Sequence, residues 1–96
     1  MVTSDEPGLY LEGKFGIRIE NELIVRRGEK NFYGQFMEFE TTTLAPIDLD
    51  AVIPDQMSPR QRGWLNDYHA FVQKTLLPLM ADDGEREWLR HATRAI

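Results

Sequence analysis

Cysteine is absent from this 96-residue chain, which removes disulfide scaffolds, thiolate zinc sites and cysteine nucleophiles together. Positive charge is in short supply: 11 Lys and Arg stand against 16 Asp and Glu, a net charge of −5. A surface made for nucleic acid or an anionic membrane needs the opposite excess. Long apolar runs are missing, since nothing approaches the roughly 20 residues of a membrane span. The opening Met1-Val2-Thr3-Ser4-Asp5-Glu6 has neither the basic nor the apolar region of a signal peptide. Phosphate-binding glycine loops and a Ser-His-Asp grouping are also missing. These absences leave one small domain, expected to be soluble and cytoplasmic, with no nucleic acid and no membrane among its partners.

What is present changes character near residue 55. Before it the chain reads as strands and turns. Asp5-Glu6-Pro7-Gly8 carries turn chemistry, with Gly8 placed for the positive φ of a type II turn. Glu12-Gly13 reads as a second turn. Phe15, Ile17 and Ile19 then fall on one face of a strand, and Gly16, Arg18 and Glu20 on the other. Leu23, Ile24 and Val25 read as a second strand or as a continuation past a bend at Asn21. Arg26 to Gly34 is polar and glycine-bearing and reads as a loop, while Gln35 to Leu44, rich in Phe and Thr, reads as an antiparallel strand. Ala45-Pro46 stops it.

After residue 55 the chain reads as helix. Ser58-Pro59-Arg60-Gln61 is a capping-box start with proline at the first helical position. Trp64, Leu65, Tyr68, Phe71, Val72 and Leu76 form an amphipathic stripe, and Pro78 ends it. A short second helix follows Asp82-Asp83-Gly84 and carries Trp88, Leu89 and Ala92 to about Thr93. A few antiparallel strands followed by two helices make an α+β chain, divided into 1–55 and 56–96.

The residues alone suggest modest chemistry. His69 and His91 lie 22 positions apart on different helices and share no ligand spacing. The ordinary reading of both is structural or solvated, His91 being favoured near a helix C-terminus. Glu6 in its turn and Glu20 beside Arg18 on a strand read first as solvated carboxylates, the second in a pair with Arg18. Two carboxylates fall short of the four to six donors typical of a transition-metal cage. Asp48, Asp50, Asp55, Asp82 and Asp83 sit in loops without a shared focus.

The longer motifs alter that balance. Asp5-Glu6-Pro7-Gly8-Leu9-Tyr10 followed by Phe15-Gly16-Ile17-Arg18-Ile19-Glu20-Asn21 resembles the last part of the Xaa-Pro aminopeptidases. These are the aminopeptidase P members of the pita-bread metallopeptidases, which include creatinase and methionine aminopeptidase. Phe39-Glu40-Thr41-Thr42-Thr43-Leu44-Ala45-Pro46-Ile47-Asp48 is similar to the family's FExLTLxPID stretch. Trp64-Leu65-Asn66-Asp67-Tyr68-His69 is similar to its WLNxYH helix, and Trp88-Leu89 with Thr93 to its closing WLxxxT. The likeness covers nearly the whole chain in order.

That resemblance implies residues 1–55 as the last strands of a pita-bread catalytic domain and 56–96 as the helical tail of the aminopeptidase P branch. It implies two divalent ions, manganese by custom, held by two Asp, one His and two Glu. Glu6 and Glu20 stand at the two glutamate positions, and Arg18 and Tyr10 match positions lining the active site. Both aspartates and the histidine precede the Glu-Pro-Gly turn in the family, so the chain is expected to be a C-terminal piece. Alone it is expected to be inactive and to bind divalent ions weakly at best, holding none as a resident cofactor. Its implied partners are the rest of the peptidase chain or a second copy of itself, with a peptide substrate in the parent. The alternative is a non-catalytic dimerisation or docking module of the same ancestry.

Overall fold

The computed structural model describes all 96 residues. They fold as two units, Met1–Thr43 and Leu44–Ile96. The first unit is all strand: β1 (Val2–Asp5), β2 (Gly8–Leu11), β3 (Phe15–Arg18), β4 (Asn21–Asn31) and β5 (Gly34–Thr41). They make a three-stranded antiparallel sheet in the order β1-β4-β5 and a two-stranded one, β2-β3.

The two sheets share one register. β1 pairs with β4 from Val2 opposite Ile24 to Asp5 opposite Asn21, and β2 pairs with β3 from Gly8 opposite Arg18 to Leu11 opposite Phe15. Between them the Ile19 amide donates to the Pro7 carbonyl at 3.1 Å. The chain from Val2 to Ile24 is therefore one hairpin, interrupted where Pro7 withholds a donor. Its turn, at Glu12 and Gly13, is the expected one, with Gly13 at φ +69°. Gly8 departs from expectation: it has no positive φ and belongs to β2.

The stretch expected as a loop, Arg26 to Gly34, is mostly strand, because β4 runs on to Asn31. Its polar residues find partners on β5. Arg26 pairs with Glu40, and Arg27 lies opposite Met37. A bulge at Gly28-Glu29 then sets two residues against one. The Gln35 side-chain amide spans the bulge, donating to the Gly28 carbonyl at 2.9 Å and the Phe36 carbonyl at 2.8 Å. The tip closes on Asn31, whose side chain accepts the Tyr33 amide at 2.9 Å, and on Gly34 at φ +129°.

The second unit holds the buried residues: Leu49, Val72 and Leu89 with His69 and Thr93. Helix α1 (Pro59–Leu76) starts at the expected capping box, Ser58 Oγ accepting the Gln61 amide and Gln61 Oε1 accepting the Ser58 amide. Helix α2 (Asp83–Ala92) starts at Asp82, which accepts from the amides of Gly84 and Glu85. The buried line of α1 differs from the expected stripe. It consists of His69 and Val72, with Leu65 and Leu76 half-buried on either side, while Trp64 and Phe71 are exposed. Trp64 instead carries the Arg60 guanidinium over its ring at 4.7 Å.

Three residues of the WLNDYH segment tie loose chain to α1. The Tyr68 hydroxyl donates to the Ala45 carbonyl at 2.8 Å, and His69 Nε2 accepts the Ile47 amide at 2.9 Å. Asn66 bonds the last residue both ways, to the Ile96 carbonyl and from its amide. Residues 44–57 thus belong with the helices. Neither helix is long and apolar enough to cross a membrane.

Candidate metal centre

Strand alternation and the shared register decide which side chains meet in the first unit. Continuing the pairing through the proline interruption sets Glu6 opposite Glu20, between Asp5 opposite Asn21 and Gly8 opposite Arg18. Ser4, Glu6, Gly8, Tyr10, Gly16, Arg18 and Glu20 then share one face of the hairpin. Pro7, Leu9, Leu11, Phe15, Ile17 and Ile19 share the other. The four residues singled out in the sequence, Glu6, Tyr10, Arg18 and Glu20, are brought together.

Their contacts are specific. Arg18 Nη2 stands 2.8 Å from Glu20 Oε2, the pair expected from the sequence. The Arg18 guanidinium is held above its ordinary pKa by Glu20 first, then by Tyr10 and Glu6. Glu6 is steadied from its own strand, where the Ser4 hydroxyl donates to Glu6 Oε2 at 3.0 Å. All four residues are open to solvent. The two carboxylates therefore form an accessible pair of hard oxygen donors, flanked by one fixed cation.

That donor set suits divalent ions such as manganese, which prefer carboxylate and water oxygens. It is a partial set: no group of three or more His, Cys, Asp and Glu side chains converges in the chain. His69 is not a ligand in waiting. It is fully buried in the second unit, where burial pushes its pKa down. Because Nε2 accepts the Ile47 amide, the neutral ring carries its proton on Nδ1, which has no partner. His91 lines a separate cleft of about 240 Å³ with Asp48, Asp50, Trp88 and Arg94.

Sequence reasoning missed Ser4, which donates to Glu6, and Gly8 and Gly16, which face the Tyr10 side chain. A signal was there in both cases. Ser4 sits two positions before Glu6, hence on the same strand face, and Gly8 and Gly16 alternate with Tyr10 and Arg18.

Known proteins supply the missing context. A family model described as the C-terminal region of peptidase_M24 matches residues 35–96. The chain belongs to that family. Relatives match over its whole length, including the hairpin that lies ahead of residue 35. Aminopeptidase P1 of Lotus japonicus is 39% identical over 99 residues, covering 100% of this chain. The probable Xaa-Pro aminopeptidase P of Neosartorya fischeri is 42% identical over 103 residues, covering 99%. This chain spans 15% of the length of each.

A solved structure agrees. The X-prolyl aminopeptidase of Caenorhabditis elegans, described as a cytosolic enzyme with a di-nuclear active site, matches 99% of this chain at TM-score 0.80 and 33% identity. The match covers 16% of that enzyme. The strands and two C-terminal helices of the family member described above follow the pita-bread fold of that aminopeptidase.

Proposed function

We propose that this chain is the C-terminal segment of a dinuclear Xaa-Pro aminopeptidase, a cytoplasmic enzyme that removes the N-terminal residue preceding proline. The observation that carries the reading is the placement of Glu6 opposite Glu20 on one hairpin face, beside Arg18 and Tyr10. Relatives named as Xaa-Pro aminopeptidases, and a neighbour described as di-nuclear, support it.

In this reading Glu6 and Glu20 hold two divalent ions, manganese by preference, together with ligands from the preceding part of the peptidase. Ions bound there supply Lewis acidity and an activated water for attack on the peptide carbonyl. The chain's own residues orient and bind. Ser4 fixes one oxygen of Glu6, so the carboxylate enters the site with fewer rotamers to lose. Arg18 does the same for Glu20. Tyr10 and Arg18 present a hydroxyl and a guanidinium on the same face, suited to a carbonyl or carboxylate oxygen of a peptide.

In the complete peptidase, Glu20→Ala abolishes turnover of an Xaa-Pro peptide and leaves the fold intact, since the side chain fills no core. Near-normal turnover in that variant, with circular dichroism unchanged, detaches the chain from this mechanism. The isolated 96 residues release no N-terminal residue from such a peptide even with manganese. Measurable metal-dependent release by the purified chain overturns that part.

The partner of the strand unit is the rest of the peptidase or, in the isolated chain, a second copy. A specific observation favours this. Leu9, Phe15 and Ile17 on the far face of the hairpin are 59, 56 and 58% exposed, and no residue of Met1–Thr43 is buried. A sheet with one apolar face needs a layer against it.

A further inference from the structure

Gly8 and Gly16 lie under one aromatic ring. Neither has a positive φ, so each backbone is one that any residue adopts. What excludes a side chain is Tyr10. A Cβ on Gly16 would stand 2.5 Å from Tyr10 Cδ1 and 3.1 Å from Cε1. On Gly8 it would stand 2.7 Å from the Tyr10 hydroxyl oxygen and 2.9 Å from Cε2 and Cζ. Real Cβ contacts do not come so close, so the Tyr10 ring, itself 64% exposed, would have to swing aside. Gly13 and Gly34 are the contrasting cases, with positive φ and nothing within 4 Å of a Cβ. The ring therefore lies across the hairpin, one edge over Gly16 and its hydroxyl over Gly8. Gly16 is the register partner of Tyr10, and Gly8 that of Arg18. A residue with a side chain at either position lifts the ring, and the hydroxyl leaves the neighbourhood of the guanidinium that holds Glu20.

We propose that Gly8 and Gly16 are positioning residues, a floor without side chains that lays Tyr10 across the hairpin and so sets where Arg18 holds Glu20. The geometry stands on its own; its catalytic consequence rests on the reading of Glu6 and Glu20 as metal ligands.

The test is a double-mutant cycle in the complete peptidase that carries this segment, with kcat and KM read on an Xaa-Pro peptide. Gly16→Ala lowers kcat by about ten- to a hundredfold, the cost of a misplacement near 1 Å, with KM little changed. In a Tyr10→Ala background the same substitution costs less than about twofold, because no ring remains to be displaced. Equal losses in both backgrounds overturn the proposal, since a glycine needed for the backbone alone does not sense Tyr10. Nuclear magnetic resonance of the 96-residue chain gives a readout independent of activity. The ring current displaces the Hα resonances of Gly16, which lies at the ring edge, and the displacement persists in Tyr10→Phe and vanishes in Tyr10→Ala. Unshifted Hα protons in the unsubstituted chain overturn the floor. Cross-strand contacts between Leu9 and Ile17 report the hairpin. Their loss in Gly16→Ala with recovery in the double variant again identifies the ring as the cause, and loss in both overturns the proposal. A peptidase inactive on Xaa-Pro peptides sinks the proposed function, while the ring-current shift still decides the floor.

Discussion

His69 shows how one side chain can be read correctly in kind and missed in place. It sits at the centre of the buried line of α1, accepts the Ile47 amide, and carries its proton on an unpartnered Nδ1. Burial lowers its pKa below the ordinary value of about 6.5. The unfolded chain thus binds a proton there at a higher pH than the folded one. Stability from the neutral ring is complete above about pH 6.5 and is lost as pH falls through the folded pKa. Urea denaturation from pH 7.5 to 5 checks this. His69→Phe costs about 1–3 kcal/mol at pH 7.5, because the Ile47 amide loses its acceptor, and loses stability less steeply on acidification. An equal slope in both chains rules His69 out as the cause.

Arg18 and Glu20 are the opposite case, a pair the sequence announces and the structure displays at 2.8 Å. Exposed pairs of this kind contribute little to stability because water screens them. Glu20→Gln therefore leaves the melting curve unchanged in the isolated chain, and a clear drop in melting temperature would assign the pair a structural role.

At the scale of elements, the start of α1 is the most self-contained feature. Ser58 and Gln61 satisfy each other's amides and Pro59 needs no acceptor. Ser58→Ala is expected to cost about 1 kcal/mol, measurable as a shift in the urea midpoint with unchanged slope. Strand β4 is the least self-contained. Its charged second half carries no periodic apolar signal, and it is a strand because β5 supplies Glu40 for Arg26 and Gln35 to bridge the bulge. Propensity on one strand cannot report what its neighbour provides. Helix α1 illustrates the same point, for its sequence pattern allowed several apolar lines. Contacts of Tyr68 with Ala45 and of His69 with Ile47 select the one that is buried.

At the scale of the whole molecule, the strand unit has a polar face bearing the candidate ligands and an apolar face without a core. Exposed apolar patches beyond a few hundred Å² favour association, as do unpaired strand edges. The isolated chain is accordingly expected to sediment as a dimer or larger species at micromolar concentration, and a well-behaved 11.2 kDa monomer would count against it. Divalent-ion binding by the isolated chain follows from the donor count. With two carboxylates and no third convergent ligand, manganese affinity is expected at the millimolar level or weaker. Micromolar binding in titration calorimetry, abolished by Glu20→Ala, would reveal donors beyond the hairpin.

The order of the motifs and their local chemistry were determined by the sequence alone. Strands before helices, the capping box, the Glu12-Gly13 turn, the Arg18–Glu20 pair and the family likeness all depend on neighbours a few positions apart. Tertiary structure alone decided that Glu6 stands opposite Glu20, that Gly8 faces the Tyr10 ring rather than a turn, and that Asn66 holds Ile96. Each of those rests on register or on distant chain brought close. A register is set by summed pairing along whole strands, and a one-residue slip would send every side chain to the other face.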